Sequence, residues 1–506
     1  MSVFPFSRPD ERRAPWLWIA ALALLVVVTR MLMSPAVSWD QNEQLVWSQE
    51  LALGYGPQPP LYTWLQWALN LVLGPSTLSV VLLKNLLIAL SFVFMLLAAR
   101  QVLPARTAWL AAAGMACLPG IGWQLLRDQT HTVMLTCAIC ATWWLVLRQL
   151  RAPTPIGFVW IGLAAAWGML SKYSYLMVVL ALLGAALSLP ATRRALLSKG
   201  WWLAPLIGVL LVAPHAWWVL EHWQQASSAT LNKLQPAQTV SRWHGLATGS
   251  GFLLSFLALA VLPWLAVAAL SFGKFWRAPR GDDAACTPAW LLPLLKRYVL
   301  LVALGLALVV LGGASKLDGR WIQPLLLVVP LWLLARWPAM GSNSACARRY
   351  LRICLFLFLL VWSVALYAPL HKARAGHADR LNWPLEQIGA TLQHGGFQGQ
   401  GVVIAEHHTT AGVLRLLFPQ ARIVVCDMLL ASADGCVAQS MQKARAQRQM
   451  VLLITSDDPA PDSWWRASTT DRSVPATTEV RLPFRWTDPA KAALILEYFV
   501  TDTAQP

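Results

Sequence analysis

Apolar residues dominate the first three quarters of the chain, in runs of about 17 to 23 residues separated by short polar segments. A run of this length crosses a bilayer as a single α-helix. The pattern therefore predicts a polytopic membrane protein with about eleven transmembrane helices. They are expected near residues 16–33, 77–99, 106–121, 132–148, 156–170, 173–190, 201–220, 249–272, 298–314, 321–336 and 350–370.

The pattern changes near residue 371, after which short apolar stretches alternate with polar segments. Three stretches are typical of buried strands and one of a helix: 401–405, 422–426 and 450–454, with the helix at 409–418. Such alternation favours a small α/β domain with a largely parallel sheet. We therefore predict an all-α polytopic membrane domain over residues 1–370 and a small C-terminal α/β domain over residues 371–506.

Charge refines this interpretation. Charged residues make up 12% of the sequence and hydrophobic residues 57%, and a soluble domain has about twice that charged fraction. The net charge of +17 then indicates topology signals and anionic lipid, not nucleic acid. Because the basic residues concentrate in the N-terminus and every second loop, we expect a cytoplasmic N-terminus and an outer C-terminal domain. Cys426 and Cys436 fall in that outer domain, where a disulfide could form.

The first outer loop, residues 34–76, contains two stretches with the apolar spacing of amphipathic helices, 43–53 and 62–73. Their tryptophans are typical of helices at the lipid–water interface. Asp40 and Glu43 lie just beyond the first predicted span. A carboxylate there is costly unless it is solvated, paired or used. Asp40 is therefore a candidate general base or a solvated helix-end acid, and a structural role is the simpler interpretation for Glu43.

Cations near the membrane boundary complete a candidate outer site. Cations would hold a lipid phosphate, and a carboxylate would take a proton from an acceptor. The candidate phosphate-binding residues are Lys84, Arg127, Lys172, Lys316 and Arg320. The simpler alternatives are that the lysines extend to the membrane surface and that Lys316 and Arg320 belong to a solvated turn.

Several short motifs then occur in a familiar order. Asp40 is followed by Trp47-Ser48 and by Gly54-Tyr55-Gly56-Pro57-Gln58-Pro59-Pro60-Leu61, and later by Leu170-Ser171-Lys172-Tyr173 and Trp321-Ile322-Gln323-Pro324. Over roughly residues 16–340 the chain resembles bacterial GT-C glycosyltransferases of the protein-mannosyltransferase superfamily, family 39-like. That superfamily includes the aminoarabinose transferases that modify lipid A. On this resemblance Tyr55 and Gln58 become further candidate site residues.

The resemblance implies a multi-pass enzyme of the bacterial inner membrane with its C-terminal domain in the periplasm. Such an enzyme moves a sugar from a polyprenyl-monophosphate donor to a lipid A-like lipid, another glycan or a protein. It implies that Asp40 is the general base, that the reaction inverts the anomeric centre, and that the outer cations stabilise the leaving phosphate. Donor, acceptor and membrane lipids are then the expected partners, without nucleic acid.

The sequence departs from the family pattern at three places. Gln41 stands where the pattern has Glu, and Gln58 stands where it has His. In the second outer loop His131, with Asp128 upstream, occupies the place of an Asp, and both are further candidate site residues. These departures remove carboxylate and imidazole ligands, so the sequence does not support a divalent metal site and identifies no cofactor with certainty.

Three alternatives stay open at this point. A lipid or glycolipid transporter or flippase would share the fold class and the outer cations, although no two-half symmetry is apparent. A glycan polymerase or ligase of another membrane fold would place its key residues in a large late loop. A non-catalytic lipid-binding relative is compatible with the substitutions Gln41 and Gln58.

Overall fold

In a computed structural model of the protein, the residues described are 10–121, 128–227, 241–273, 287–341, 343–427, 433–456 and 477–502. Arg127, one of the candidate phosphate-binding residues, lies outside these ranges.

Helices make up most of the described chain up to residue 374. They are α1 (Asp10–Met33), α2 (Trp39–Trp47), α3 (Leu61–Leu73), α4 (Thr77–Arg100), α5 (Ala105–Gly114), α6 (His131–Arg151), α7 (Pro155–Met169), α8 (Tyr175–Leu187), α9 (Pro190–Leu196), α10 (Leu203–Glu221), α11 (Arg242–Phe272), α12 (Leu291–Leu311), α13 (Gly319–Ile322), α14 (Val329–Arg336) and α15 (Ser344–Arg374).

Within the described residues, seven helices are long and apolar enough to cross a membrane, or eight if the bent pair α8 and α9 is one span. The predicted spans at 106–121, 156–170, 173–190 and 321–336 correspond instead to short or broken helices. Proline accounts for two of the breaks. The chain bends by 116° before Pro190, and Pro324 lies in a 3₁₀ turn between α13 and α14, because proline lacks an N–H and restricts the preceding residue.

The chain divides into two compact units, which are described separately. The first unit comprises Met1–Val26, Ala52–Tyr62 and Lys84–Trp362, and the second comprises Val27–Leu51, Thr63–Leu83 and Ser363–Pro506. The division of a membrane domain from a periplasmic domain near residue 371 stays a prediction.

Helix pairs form the first unit, in which α7 packs against α6 and α10, and α8 packs against α12. Small residues allow some of these contacts. A Cβ on Gly162 would lie 2.7 Å from the backbone oxygen of Ala204, so a larger residue would separate α7 from α10.

A five-stranded sheet forms the core of the C-terminal part of the second unit. Its strands are β1 (Val402–Ala405), β2 (Arg422–Val425), β3 (Met450–Ser456), β4 (Thr478–Pro483) and β5 (Ala493–Asp502), and its helices are α16 (Leu385–His394), α17 (His408–Leu417) and α18 (Ala433–Ala446).

The strand order is β2-β1-β3-β5-β4, with the first three strands parallel and the last two antiparallel to their neighbours. The three strands predicted from the sequence correspond to β1, β2 and β3, and the predicted helix corresponds to α17. Apolar clusters cover both faces of the sheet. The disulfide Cys426–Cys436 connects the residue after β2 to α18.

Glu406 follows β1 and is fully buried. Its Oε1 accepts hydrogen bonds from the Thr410 hydroxyl at 2.9 Å and from the backbone N–H of Ser456 at 2.8 Å. Burial raises the pKa of Glu406 to about 7, because the charged carboxylate is poorly solvated there. Burial has the opposite effect on the imidazole of His408 and lowers its pKa to about 4.

Candidate functional site

Asp40 lies half-buried in the first turn of α2, directly after the first membrane helix. The helix begins at Trp39, so the predicted helix over residues 43–53 was misplaced. Its start is fixed by Gln41, whose Oε1 accepts hydrogen bonds from the backbone N–H and the hydroxyl of Ser38, both at 3.1 Å. A side-chain acceptor at this position stabilises a helix start, and the first turn favours a carboxylate electrostatically.

The helix α2 packs along α17 of the same unit. Gly412 allows a close approach of the two helices, because a Cβ on this residue would be 2.5 Å from the Cα, Cβ and Oδ1 of Asn42. At the other end of the contact, the rings of Trp47 and His408 meet edge to face at 5.5 Å. The α/β fold thus supports the helix that carries Asp40.

The segment before α2 is also fixed. The guanidinium of Arg30 donates to the backbone oxygen of Ser34 at 2.7 Å and to that of Ala36. The hydroxyl of Ser34 donates to the backbone oxygen of Leu381 at 2.6 Å. The two Arg30 bonds occupy carbonyl groups of the segment that follows α1, and together with the Ser34 bond they limit the freedom of the loop before Asp40.

The segment after α2 pairs with the sheet. Gln49 donates through Nε2 to the backbone oxygen of Ile423 at 3.0 Å and accepts from its N–H at 2.9 Å. Strand β2 is an edge strand, so one glutamine side chain continues its hydrogen-bonding pattern. On α2 itself, Gln44 accepts from the hydroxyl of Thr63 at 2.8 Å, and Glu43 is half-buried.

A tight turn in the first unit presents Tyr55 and Gln58. Their backbones exchange two hydrogen bonds, from Tyr55 N to Gln58 O at 3.3 Å and from Gln58 N to Tyr55 O at 3.2 Å. Gly56 has φ of 56°, a conformation that favours glycine. The Tyr55 hydroxyl accepts from the backbone N–H of Ala52 at 2.9 Å. The turn is therefore rigid, with Tyr55 buried and Gln58 half-buried.

Helix α10 and the turn after α7 hold this loop in place. His215 bonds the backbone oxygen of Leu53 through Nδ1 at 2.6 Å. The ring of Trp218 occupies the space beside Gly54, where a Cβ would come within 2.2 Å of it. The backbone N–H of Leu61 donates to the oxygen of Leu170 at 3.1 Å. This last bond connects the Pro-Pro-Leu motif with the Leu-Ser-Lys-Tyr motif.

Arg320 lines a small cavity in the first unit, and Lys172 bonds to another residue of its lining. The Nζ of Lys172 donates to the hydroxyl of Thr132 at 2.9 Å. Thr132 lines the cavity together with Arg320, Gln129 and Gln323. Both glutamines are buried. Arg320 thus lines the cavity directly, whereas Lys172 is connected to it through Thr132.

Lys84 and Lys316 differ in their exposure. Lys84 lies near the start of α4 with 3% exposure, and Lys316 is exposed. Arg320 also forms an ion pair with Asp318, with 2.8 Å between Nε and Oδ2. Because both of these side chains are partly exposed, the pair contributes little to stability and leaves the guanidinium accessible to a phosphate.

Two further candidates lie close to α6. His131 begins this helix, is buried, and has its ring centroid 5.5 Å from that of Tyr62. Asp128 is half-buried in the preceding loop. Among the residues that the structure describes, no group of three or more His, Cys, Asp or Glu side chains could hold a metal ion.

Sequence reasoning missed several residues that shape these sites. Gly412, Gln49 and His215 act through partners far away in sequence, so no local pattern marks them. Gln323 could have been identified from the sequence, since it lies inside the Trp-Ile-Gln-Pro motif. Thr132 could have been noted as the polar residue beside His131.

Comparison with known proteins identifies the class. Residues 57–218 match the family described as Dolichyl-phosphate-mannose-protein mannosyltransferase. The lipopolysaccharide core galacturonosyltransferase RgtB from Rhizobium johnstonii is 30% identical over 83% of this chain and 85% of its own. The lipopolysaccharide core galacturonosyltransferase RgtA from the same organism is 32% identical over 81% of this chain and 82% of its own.

The fold resembles a solved structure over its full length. The crystal structure of ArnT from Cupriavidus metallidurans bound to undecaprenyl phosphate aligns with a TM-score of 0.61 at 13% identity, covering 98% of this chain and 99% of ArnT. The apo state of the same protein aligns with a TM-score of 0.57.

The family match and the two relatives identify a membrane glycosyltransferase of the GT-C superfamily, as the motifs predicted, and the apolar helices and the ArnT-like fold agree with it. The chain belongs to the family that includes the galacturonosyltransferases RgtA and RgtB. It is therefore an enzyme.

Proposed function

We propose that this enzyme transfers a hexuronic acid, of the galacturonic acid class, from a polyprenyl-monophosphate donor to the core or lipid A part of lipopolysaccharide. The observation that carries the proposal is the similarity to two lipopolysaccharide core galacturonosyltransferases over more than four fifths of both chains. The fold shared with an ArnT bound to undecaprenyl phosphate supports the donor class.

Asp40 is the proposed general base. Its carboxylate takes the proton of the acceptor hydroxyl while that oxygen attacks the anomeric carbon of the donor sugar. The bond from the anomeric carbon to the phosphate oxygen breaks on the opposite face, so the configuration inverts and polyprenyl phosphate leaves with its negative charge. The rigid support of α2 suits this role, because general base catalysis requires accurate placement.

The leaving phosphate is proposed to bind to cations of the first unit. Lys172, oriented by its bond to Thr132, and Arg320, which lines a cavity together with Thr132, are the leading candidates. Lys84, Lys316 and Arg127 are retained as further phosphate-binding candidates. Cations fixed where charge develops lower the barrier without rearrangement during the reaction, and the scheme requires no metal ion.

We place the reaction on the outer face of the inner membrane. The arginine and lysine distribution of the loops supports a cytoplasmic N-terminus. The disulfide Cys426–Cys436 supports an oxidising compartment for the C-terminal sheet. This orientation is tested by introducing single cysteines at Glu43 or Gln447 and labelling them with a membrane-impermeant reagent. Labelling only from the cytoplasmic side would overturn the proposed orientation.

The alternatives receive less support. The aligned relatives are glycosyltransferases rather than flippases or polymerases. Gln41, one of the two substitutions that suggested a non-catalytic relative, has a structural role of its own, because its side chain accepts two hydrogen bonds at the start of α2.

The test uses purified protein in lipid vesicles with labelled polyprenyl-phosphate donors and lipopolysaccharide acceptors. Donors carrying a uronic acid, a neutral hexose and an amino sugar are compared at equal concentration. We expect transfer from the uronic acid donor with at least tenfold preference over the other two. Transfer only from the neutral or amino sugar donor, or from none, would reject the proposed sugar.

A further inference from the structure

A cavity of about 370 Å³ lies in the first unit between α1, α4, α5 and α15. This volume falls within the usual range of ligand sites, roughly 300–1,000 Å³. Most of its lining is hydrocarbon, from residues such as Ile19, Leu22, Ala89, Phe92, Leu355 and Phe358. Three of the four helices are candidate membrane spans, so the natural occupant of such a space is a lipid chain.

One end of the cavity is lined by basic residues. Arg348 and Arg352 line it one helical turn apart near the start of α15, and both are exposed. In the described part of the chain, neither guanidinium forms an ion pair. Two adjacent cations without a carboxylate partner are complementary to a phosphate group.

The aromatic residues indicate the depth of this end. Trp18 of α1 and Trp109 of α5 also line the cavity. Tryptophans are typical of the boundary between hydrocarbon and headgroups. The arginines and tryptophans thus fit the headgroup level, and the apolar part of the cavity extends from there along α15 toward Phe358.

We propose that this cavity is a binding site for an anionic phospholipid. One acyl chain occupies the apolar space, and the phosphate binds Arg348 and Arg352. A neutral lipid would fill the hydrocarbon part but would leave the paired guanidinium groups unused. The site is distinct from the residues assigned to sugar transfer, and the inference does not depend on that assignment.

The test compares protein purified in mild detergent and then incubated with phosphatidylglycerol or phosphatidylethanolamine. Bound lipid is counted by native mass spectrometry. Because a basic residue at a membrane surface contributes about 1 kcal/mol of attraction, Arg348→Gln and Arg352→Gln should each lower phosphatidylglycerol affinity about fivefold. The matched control is Arg349→Gln, which removes an exposed arginine of the same helix that does not line the cavity.

A second variant tests the apolar part. Ala89→Phe places a ring in the cavity and should abolish phospholipid binding while both arginines remain. Equal binding by wild type and both arginine variants, equal affinity for phosphatidylethanolamine, or a polyprenyl phosphate bound in place of phospholipid would overturn the proposal. Unchanged elution volume and melting temperature of the arginine variants show that binding was lost without unfolding.

Discussion

Replacing Gly412 with alanine should disturb the helix that carries Asp40 without changing any residue of the proposed reaction. Gly412 lies on α17 against Asn42 of α2. In an ordinary helix this substitution stabilises by roughly 0.5–1 kcal/mol. Here we expect the alanine to be destabilising, because the new methyl group would clash with the backbone of Asn42.

The size of the effect follows from the contact. The added Cβ would lie 2.5 Å from the Cα of Asn42, whereas ordinary contacts are 3.4–4 Å. The two helices must therefore separate by about 1 Å, and overpacking of this kind costs about 1–3 kcal/mol. A displacement of about 1 Å at a reacting group can lower the rate by about 100-fold.

Initial rates of labelled sugar transfer measure this effect, together with melting temperatures from scanning fluorimetry. We expect kcat to fall by one to two orders of magnitude, with little change in KM for the donor. The matched control is Gly435→Ala on α18, where a Cβ meets nothing within 4 Å. That variant should retain full activity and gain slightly in stability.

Two results would refute this reasoning. A Gly412→Ala protein with wild-type kcat would show that α17 does not position the helix of Asp40. A loss of activity in Gly435→Ala equal to that in Gly412→Ala would show a general sensitivity of the sheet region rather than a specific contact with α2.

Three further outcomes can be measured with the same preparation. Gln41→Leu removes the acceptor for Ser38 and should cost about 1–2 kcal/mol, whereas Gln41→Glu keeps that acceptor; equal melting temperatures would contradict the capping role. Because the pKa of Glu406 is raised to about 7, its stabilising effect is complete below pH 4.5 and is lost as pH rises through 7, on the order of 3 kcal/mol in all. The melting temperature of wild type minus that of Glu406→Gln should therefore fall between pH 5 and 8, and a constant difference would disprove the linkage. Lys172→Ala should lower kcat by about 10²–10³-fold and Thr132→Val by a smaller factor, and unchanged rates would remove both from the site.

The sequence alone indicated most of the architecture. Long apolar runs mark membrane helices because only a helix satisfies backbone groups in hydrocarbon, and short apolar stretches marked β1, β2 and β3. The breaks inside several runs were not anticipated, although Pro190 and Pro324 lie at two of them. The apolar pattern does not reveal such a break in a helix, because apolar residues continue through it.

The candidate sites were only partly predictable. Asp40 and Lys172 stood out because a charge beside a long apolar run is expensive. The contacts of Gly412 and Gln49 depend on segments that come together only in the folded second unit. The start of α2 depends on one side chain, Gln41, which the motif comparison had marked only as a departure.

The proposed mechanism is tested most directly by Asp40→Asn, which keeps the size of the side chain and removes its basicity. Glu43→Gln, one turn away on the same helix, is the matched control. With the uronic acid donor and lipopolysaccharide acceptor, we expect kcat of Asp40→Asn to fall by about 10²–10⁴-fold with unchanged melting temperature and donor affinity, and Glu43→Gln to remain within a few fold of wild type. Wild-type turnover by Asp40→Asn would contradict the assignment of Asp40 as the general base.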